Sequence, residues 1–148
     1  MDTIITRQSV LDLLAGDWAD YVARFQALSP AAQAAFLQQQ GYKRLADLLA
    51  HIVAWWEVGM DSIQRYQSDP AARQPEIDID SFNARAVEQV RNVSGIEEIL
   101  VVEEVRRKFI DLTWQLSDCD FQDERILTQF KWELINHLEE HRIQSDLL

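Results

Sequence analysis

An all-α fold is predicted by three features of the sequence: few residues that turn a chain sharply, many that favour helix, and apolar positions that recur with helical period. Glycine occurs 4 times and proline 3 times in 148 residues, too rarely for the many tight turns of an all-β fold. Ala, Leu, Gln, Glu and Arg are abundant, and their side chains lose little freedom in a helix. Apolar residues make up 47% of the chain, which allows a core and argues against wholesale disorder. The length fits one domain over residues 1–148.

The elements follow in order. Thr6 or Asp2 is placed to cap a first helix running to about Leu28, with Val10, Leu13, Leu14, Trp18, Tyr21, Val22, Phe25 and Leu28 at helical spacing. Ser29-Pro30 reads as a cap followed by proline in the first turn of a short helix, Ala31 to about Gln39, which Gly41 stops. A long helix from about Lys43 to Gln67 carries two apolar stripes. One holds Leu48, His51, Trp55 and Val58; the other holds Leu45, Leu49, Val53, Trp56 and Met60. A helix apolar on both sides is buried on both sides, so it is either central in the bundle or shared with a second subunit.

Ser68 to Ile79 contains Pro70 and Pro75, lacks helical period and reads as a loop. Asp80 or Ser81 is placed to cap a shorter helix through Arg91. Ser94 to Glu97 has capping-box spacing and opens a helix from about Gly95 to Leu116, with Ile99, Val102, Val105, Phe109, Leu112 and Leu116 facing inward. After a polar loop from Ser117 to Glu124, the last helix runs from about Ile126 to Ser145. Four long helices with short additional ones in the connections describe a four-helix bundle.

Composition excludes several functions. The formal net charge is −11, which repels nucleic acid and acidic lipid alike. The densest basic stretch, Arg106-Arg107-Lys108, is balanced by Glu103-Glu104 just before it. With Cys119 as the sole cysteine, no internal disulfide forms. The segment Met1 to Val10 lacks the apolar stretch of a secretory signal, and the longest apolar run, Leu48 to Trp56, is too short to span a bilayer. A soluble, cytoplasmic protein is expected.

The chemistry concentrates on three histidines, the only ones present. His137 and His141, four apart on the last helix, stack on one face where two imidazoles can reach one ion. Phe130, Leu134 and Leu138 share that angular position, so the pair points inward. His51 lies in an apolar stripe of the long helix and also points inward. A buried imidazole needs a partner, and one metal ion would satisfy all three. Neutral nitrogen donors suit Zn, Ni, Fe or Cu rather than Mg or Ca. Three protein ligands leave a position open, which is the pattern of catalytic sites. The plainer reading of each histidine is a hydrogen-bonded core residue.

Other candidates are weaker. Glu133 and Glu140 sit at the edge of the histidine face, where they could orient a ligand or move a proton, or simply form a solvated helix edge. Glu57 and Asp61 lie off the His51 face and should be exposed. Trp55, Trp56, Trp114 and Trp132 could line a pocket, although aromatic residues at this spacing are usually core. Cys119 has no base beside it, and no catalytic triad, phosphate loop or dinucleotide fingerprint is present.

Two segments then carry a family resemblance. "LADLLAHIVAWWEVG", Leu45 to Gly59, resembles the second helix of the DinB/YfiT-like superfamily, and "WELINHLEEHRIQ", Trp132 to Gln144, resembles its last helix with the His-x-x-x-His pair. "FNARAVEQVR", Phe82 to Arg91, resembles a connecting segment in one branch of it. The resemblance implies a four-helix bundle of unusual crossover order, often a homodimer. It also implies a divalent metal (Zn, Ni or Fe) on His51, His137 and His141. The functions it implies are transfer or isomerisation with a low-molecular-weight thiol such as mycothiol, bacillithiol or glutathione, or hydrolysis. A metal with an open position would acidify a coordinated thiol or water. The basic residues that thiol-using relatives employ have no assignable counterpart here. Two expectations therefore stand: a metal-dependent transferase or hydrolase with a small-molecule substrate, or a non-enzymatic stress or interaction protein whose site is structural or vacant.

Overall fold

The computed structural model describes residues 4–143, and all regular structure among them is helical. The expected first helix is two, α1 (Arg7–Ala15) and α2 (Asp17–Gln26), broken at Gly16 with φ −101° and ψ −98°. A Cβ there would lie 2.9 Å from the Asp12 carbonyl oxygen, so the bend depends on glycine. Thr6 caps α1 reciprocally with Ser9, while Asp2 lies outside the described residues.

Ser29 caps α3 (Pro30–Gln40), and Gly41 ends it at φ +84°. The Tyr42 N–H donates to the Leu37 carbonyl at 2.9 Å and the Gly41 N–H to that of Gln38 at 3.1 Å, a Schellman stop. The long helix is α4 (Leu45–Ser68). Asp78, not Asp80 or Ser81, caps α5 (Ile79–Gln89), accepting from the Ser81 N–H at 3.1 Å. The predicted capping box of Ser94 and Glu97 opens α6 (Gly95–Gln115). A 3-10 turn, Asp120–Gln122, interrupts the expected loop.

The last helix departs most from its α-periodic reading. It consists of α7 (Glu124–Phe130), a π-helical turn (Lys131–Asn136) and α8 (His137–Glu140), and it stops at His141. Its expected end at Ser145 lies outside the described residues.

Helix α4 is the centre of the fold. It packs against α6, α7, α5 and α3, so Leu48 and His51 on one side and Leu49, Val53 and Trp56 on the other are all buried within the same chain. The second stripe is thereby covered without a second subunit. Its cores of contact are aromatic as well as aliphatic: Trp18 meets Trp56 edge to face at 4.9 Å, and Phe109 lies 6.2 Å from Trp56 and 6.0 Å from Phe130. No helix among the described residues is long and apolar enough to cross a membrane.

Candidate metal centre

His51 comes from the second turn of α4, His137 opens α8, and His141 caps its end. All three are buried, at 8%, 6% and 8% exposure. The Nε2 of His51 lies 3.1 Å from the Nε2 of His137 and 3.1 Å from that of His141. The three ring centroids form a triangle with 5.0 Å sides. Tetrahedral coordination at a metal–nitrogen distance of 2.0–2.1 Å separates ligand nitrogens by about 3.3 Å. The cluster therefore has close to the spacing that one ion requires, and could hold one.

Hydrogen bonds to the far sides of the rings decide where the lone pairs point. The Asn83 Oδ1 accepts from the Trp55 indole N–H at 2.7 Å, which fixes that atom as oxygen because the indole only donates. The same oxygen lies 3.0 Å from the Nδ1 of His51. That nitrogen must therefore carry the proton, leaving a bare lone pair on Nε2 in the neutral ring. At His141 the Gln40 amide presents its Oε1 2.6 Å from Nδ1, an orientation in which Nδ1 carries the proton. With the Gln40 amide so oriented, the 3.1 Å contact between the Nε2 atoms of His51 and His141 brings two lone pairs together. A cation placed there would relieve the repulsion.

Burial also keeps the rings neutral, as ligands must be. Desolvation, with the neighbouring histidines adding to it, lowers His137 to about 3, against weak compensation from the Glu133 carbonyl. The Nδ1 of His137 is sealed from solvent without a well-formed hydrogen bond. Desolvation and His51 lower His141 to about 4. His51 is lowered by desolvation and raised in part by Asn83.

The π turn supplies the backbone setting. Bonding of the i→i+5 type widens a turn and weakens the hold on its carbonyls. The carbonyl of Glu133 accepts from the Trp56 indole at 3.1 Å and that of Leu134 from the Trp18 indole at 3.0 Å. The Tyr21 hydroxyl donates to the His141 carbonyl at 2.6 Å, where the helix stops. Three side chains from α2 and α4 thus hold the backbone that presents two of the histidines.

Glu133 lies on the π turn and is buried. Read at α-helical spacing it sits on the edge; in the structure it is 6% exposed and its Oε2 has no hydrogen-bond partner. Desolvation, and secondarily Glu140, raises its carboxyl to about 8. Glu140 itself is exposed, as a solvated edge residue should be. Glu57 and Asp61 are exposed as expected. Trp56 is fully buried, Trp55 and Trp132 line a cavity, and Trp114 is 62% exposed and away from it.

That cavity, about 530 Å³, opens beside His51 and His137 and has Asn83, Glu133 and Glu140 in its wall. Gln74, Pro75 and Ile77 of the α4–α5 loop close one side. Arg125 pins the start of this loop, donating to the carbonyls of Asp69 at 3.2 Å and Ala72 at 2.9 Å. Asn83, Gln40 and the burial of Glu133 escape a reading of the sequence. A glutamine within the run Gln38 to Gln40 carries no mark of its own, and Asn83 follows Phe82 without a spacing that ties it to His51.

Fold and site together define an all-helical protein with a buried three-histidine cluster able to hold a metal ion. Comparison with protein-family models, with curated proteins and with solved structures gives no match to the chain.

Proposed function

We propose that this chain is a metal-dependent enzyme of the DinB-like superfamily, a transferase of the low-molecular-weight thiol type or a hydrolase, built as a four-helix bundle. The reading takes Zn, Ni or Fe as the ion and His51, His137 and His141 as its ligands. The observation that carries it is the convergence of Nε2 atoms at 3.1 Å with Nδ1 of His51 and of His141 facing an amide oxygen. The helix positions of the histidines, and the motifs quoted above, support the superfamily. The same resemblance supports a homodimer.

When bound, such an ion supplies Lewis acidity, lowering the pKa of a coordinated thiol or water. The chain's own residues do the rest. Asn83 and Gln40 orient the imidazoles, the apolar wall of the cavity limits water, and Glu133, which lines the same cavity as His51 and His137, is the group to hold or take a proton. The adjoining cavity favours a catalytic role over a purely structural ion, because a structural site is closed on all sides.

Elemental analysis of the purified protein should find close to one transition-metal ion per chain. The His51→Ala variant should lose it while keeping its helical circular dichroism. A wild-type chain that takes up no zinc, nickel or iron from micromolar solution would refute the reading.

A further inference from the structure

The cavity beside the histidines has an electrostatic character that the metal does not explain. No lysine or arginine lines it among the described residues, whereas two carboxyl groups, Glu133 and Glu140, do. Glu133 is the unusual one. It is buried, and among the described residues its Oε2 has no donor and no lysine or arginine lines the cavity beside it. Leaving such a group unpaired in the folded state is costly unless something else supplies the partner.

The position is built rather than incidental. Gly59 of α4 lies beneath the side chain, and a Cβ there would be 2.7 Å from the Glu133 Cγ. Glycine at this point lets the carboxylate stem lie flat against α4 with its head at the cavity. Ser62, one turn further along α4, and Gln129, one turn back along α7, are buried polar neighbours in the same wall. The remaining wall is apolar and aromatic, with Trp55, Val58, Ile77, Ile79 and Trp132. Ile79 is 60% exposed and Trp132 39%, so apolar surface faces the opening.

We propose that this cavity binds a small molecule carrying a protonated amine on an apolar body, with Glu133 as the group that accepts the amine. This rests on the metal-site reading in taking the cavity as the substrate's place. An ammonium group brings the hydrogen-bond donor that the Glu133 Oε2 lacks. The aromatic rings favour a cation, and the acidic rim disfavours an anion. A carboxylate-bearing substrate would meet two carboxyl groups and, among the described residues, no lysine or arginine.

The test is calorimetric titration of chelator-treated protein with three probes of one shape, benzylamine, benzyl alcohol and benzoate, at pH 7.5. Benzylamine should bind at least about tenfold more tightly than benzyl alcohol, the size a charge-assisted hydrogen bond to a buried carboxyl supports, and benzoate should bind least. Glu133→Gln, of the same shape, should bring benzylamine down to the level of the alcohol. The proposal is overturned if the wild-type protein binds the amine no more tightly than the alcohol, or if the preference survives in Glu133→Gln. The wild-type ratio decides alone should the variant fail to fold. Zinc uptake is measured separately, so a chain that binds zinc without preferring the amine loses only this proposal. One that prefers the amine without binding zinc keeps this cavity's specificity and loses the metal.

Discussion

The amide oxygen of Asn83 accepts from two donors at once, the Trp55 indole and the Nδ1 of His51. The first of these bonds gives the second its direction, and so sets which nitrogen of His51 is free to bind an ion. Removing the amide should therefore act on affinity and not on the fold. We expect Asn83→Ala to weaken zinc binding about 10- to 100-fold, the usual effect of losing a group that orients a ligand. Competition with a chromogenic chelator measures it. Unchanged affinity would mean that packing alone holds the His51 ring.

At the level of the element, the last helix depends on what leans against it. Its π turn is supported by the indoles of Trp18 and Trp56, and the close approach of α4 is permitted by Gly59. Glycine within a helix ordinarily costs about 1 kcal/mol relative to alanine, so Gly59→Ala would stabilise α4 if nothing stood nearby. With Glu133 in the way, the extra methyl should instead destabilise by about 1–2 kcal/mol, as overpacking does. In a Glu133→Ala background the same change should turn neutral or stabilising. Urea melts of the four proteins close the cycle. Equal effects of Gly59→Ala in both backgrounds would show that the contact carries no energy.

For the whole molecule, the buried histidines and Glu133 set opposing pH dependences. The histidines titrate near 6.5 when unfolded and well below that when folded, at about 3 for His137 and about 4 for His141. The unfolded chain therefore binds more protons below pH 6.5, and stability is lost as the pH falls from there through the folded values. Glu133 behaves in the opposite sense. Its pKa is raised from 4.5 to about 8, so its contribution is present below 4.5 and is lost as the pH rises through 8. Three groups outweigh one between 4.5 and 6.5, and above 6.5 the carboxyl acts alone. The melting temperature of the metal-free protein should consequently peak near pH 6.5. Glu133→Gln should abolish the decline on the alkaline side. Melts at pH 5, 6.5 and 8 that coincide would show that these groups are not buried as described. Bound zinc should raise the whole profile, since it binds only the folded chain.

The sequence alone was enough for the helical class, the capping of α1, α3 and α6, the two-sided burial of α4 and the inward direction of all three histidines. These rest on local propensity, on cap chemistry and on a period that repeats along the chain, and each is written within a few residues. The break at Gly16 and the move of the α5 cap to Asp78 are local as well, but they turn on one residue's backbone angles, which spacing does not encode. The π turn, the burial of Glu133 and the parts played by Asn83 and Gln40 belong to the tertiary structure alone. Each arises where two distant segments meet: indoles from α2 and α4 on the carbonyls of the last helix, a glycine of α4 under a glutamate far along the chain, amides of α3 and α5 behind the imidazoles of His141 and His51. An α-periodic wheel cannot show which partners from distant segments meet a residue. For that reason the three histidines were legible in the sequence, and the groups that aim them were not.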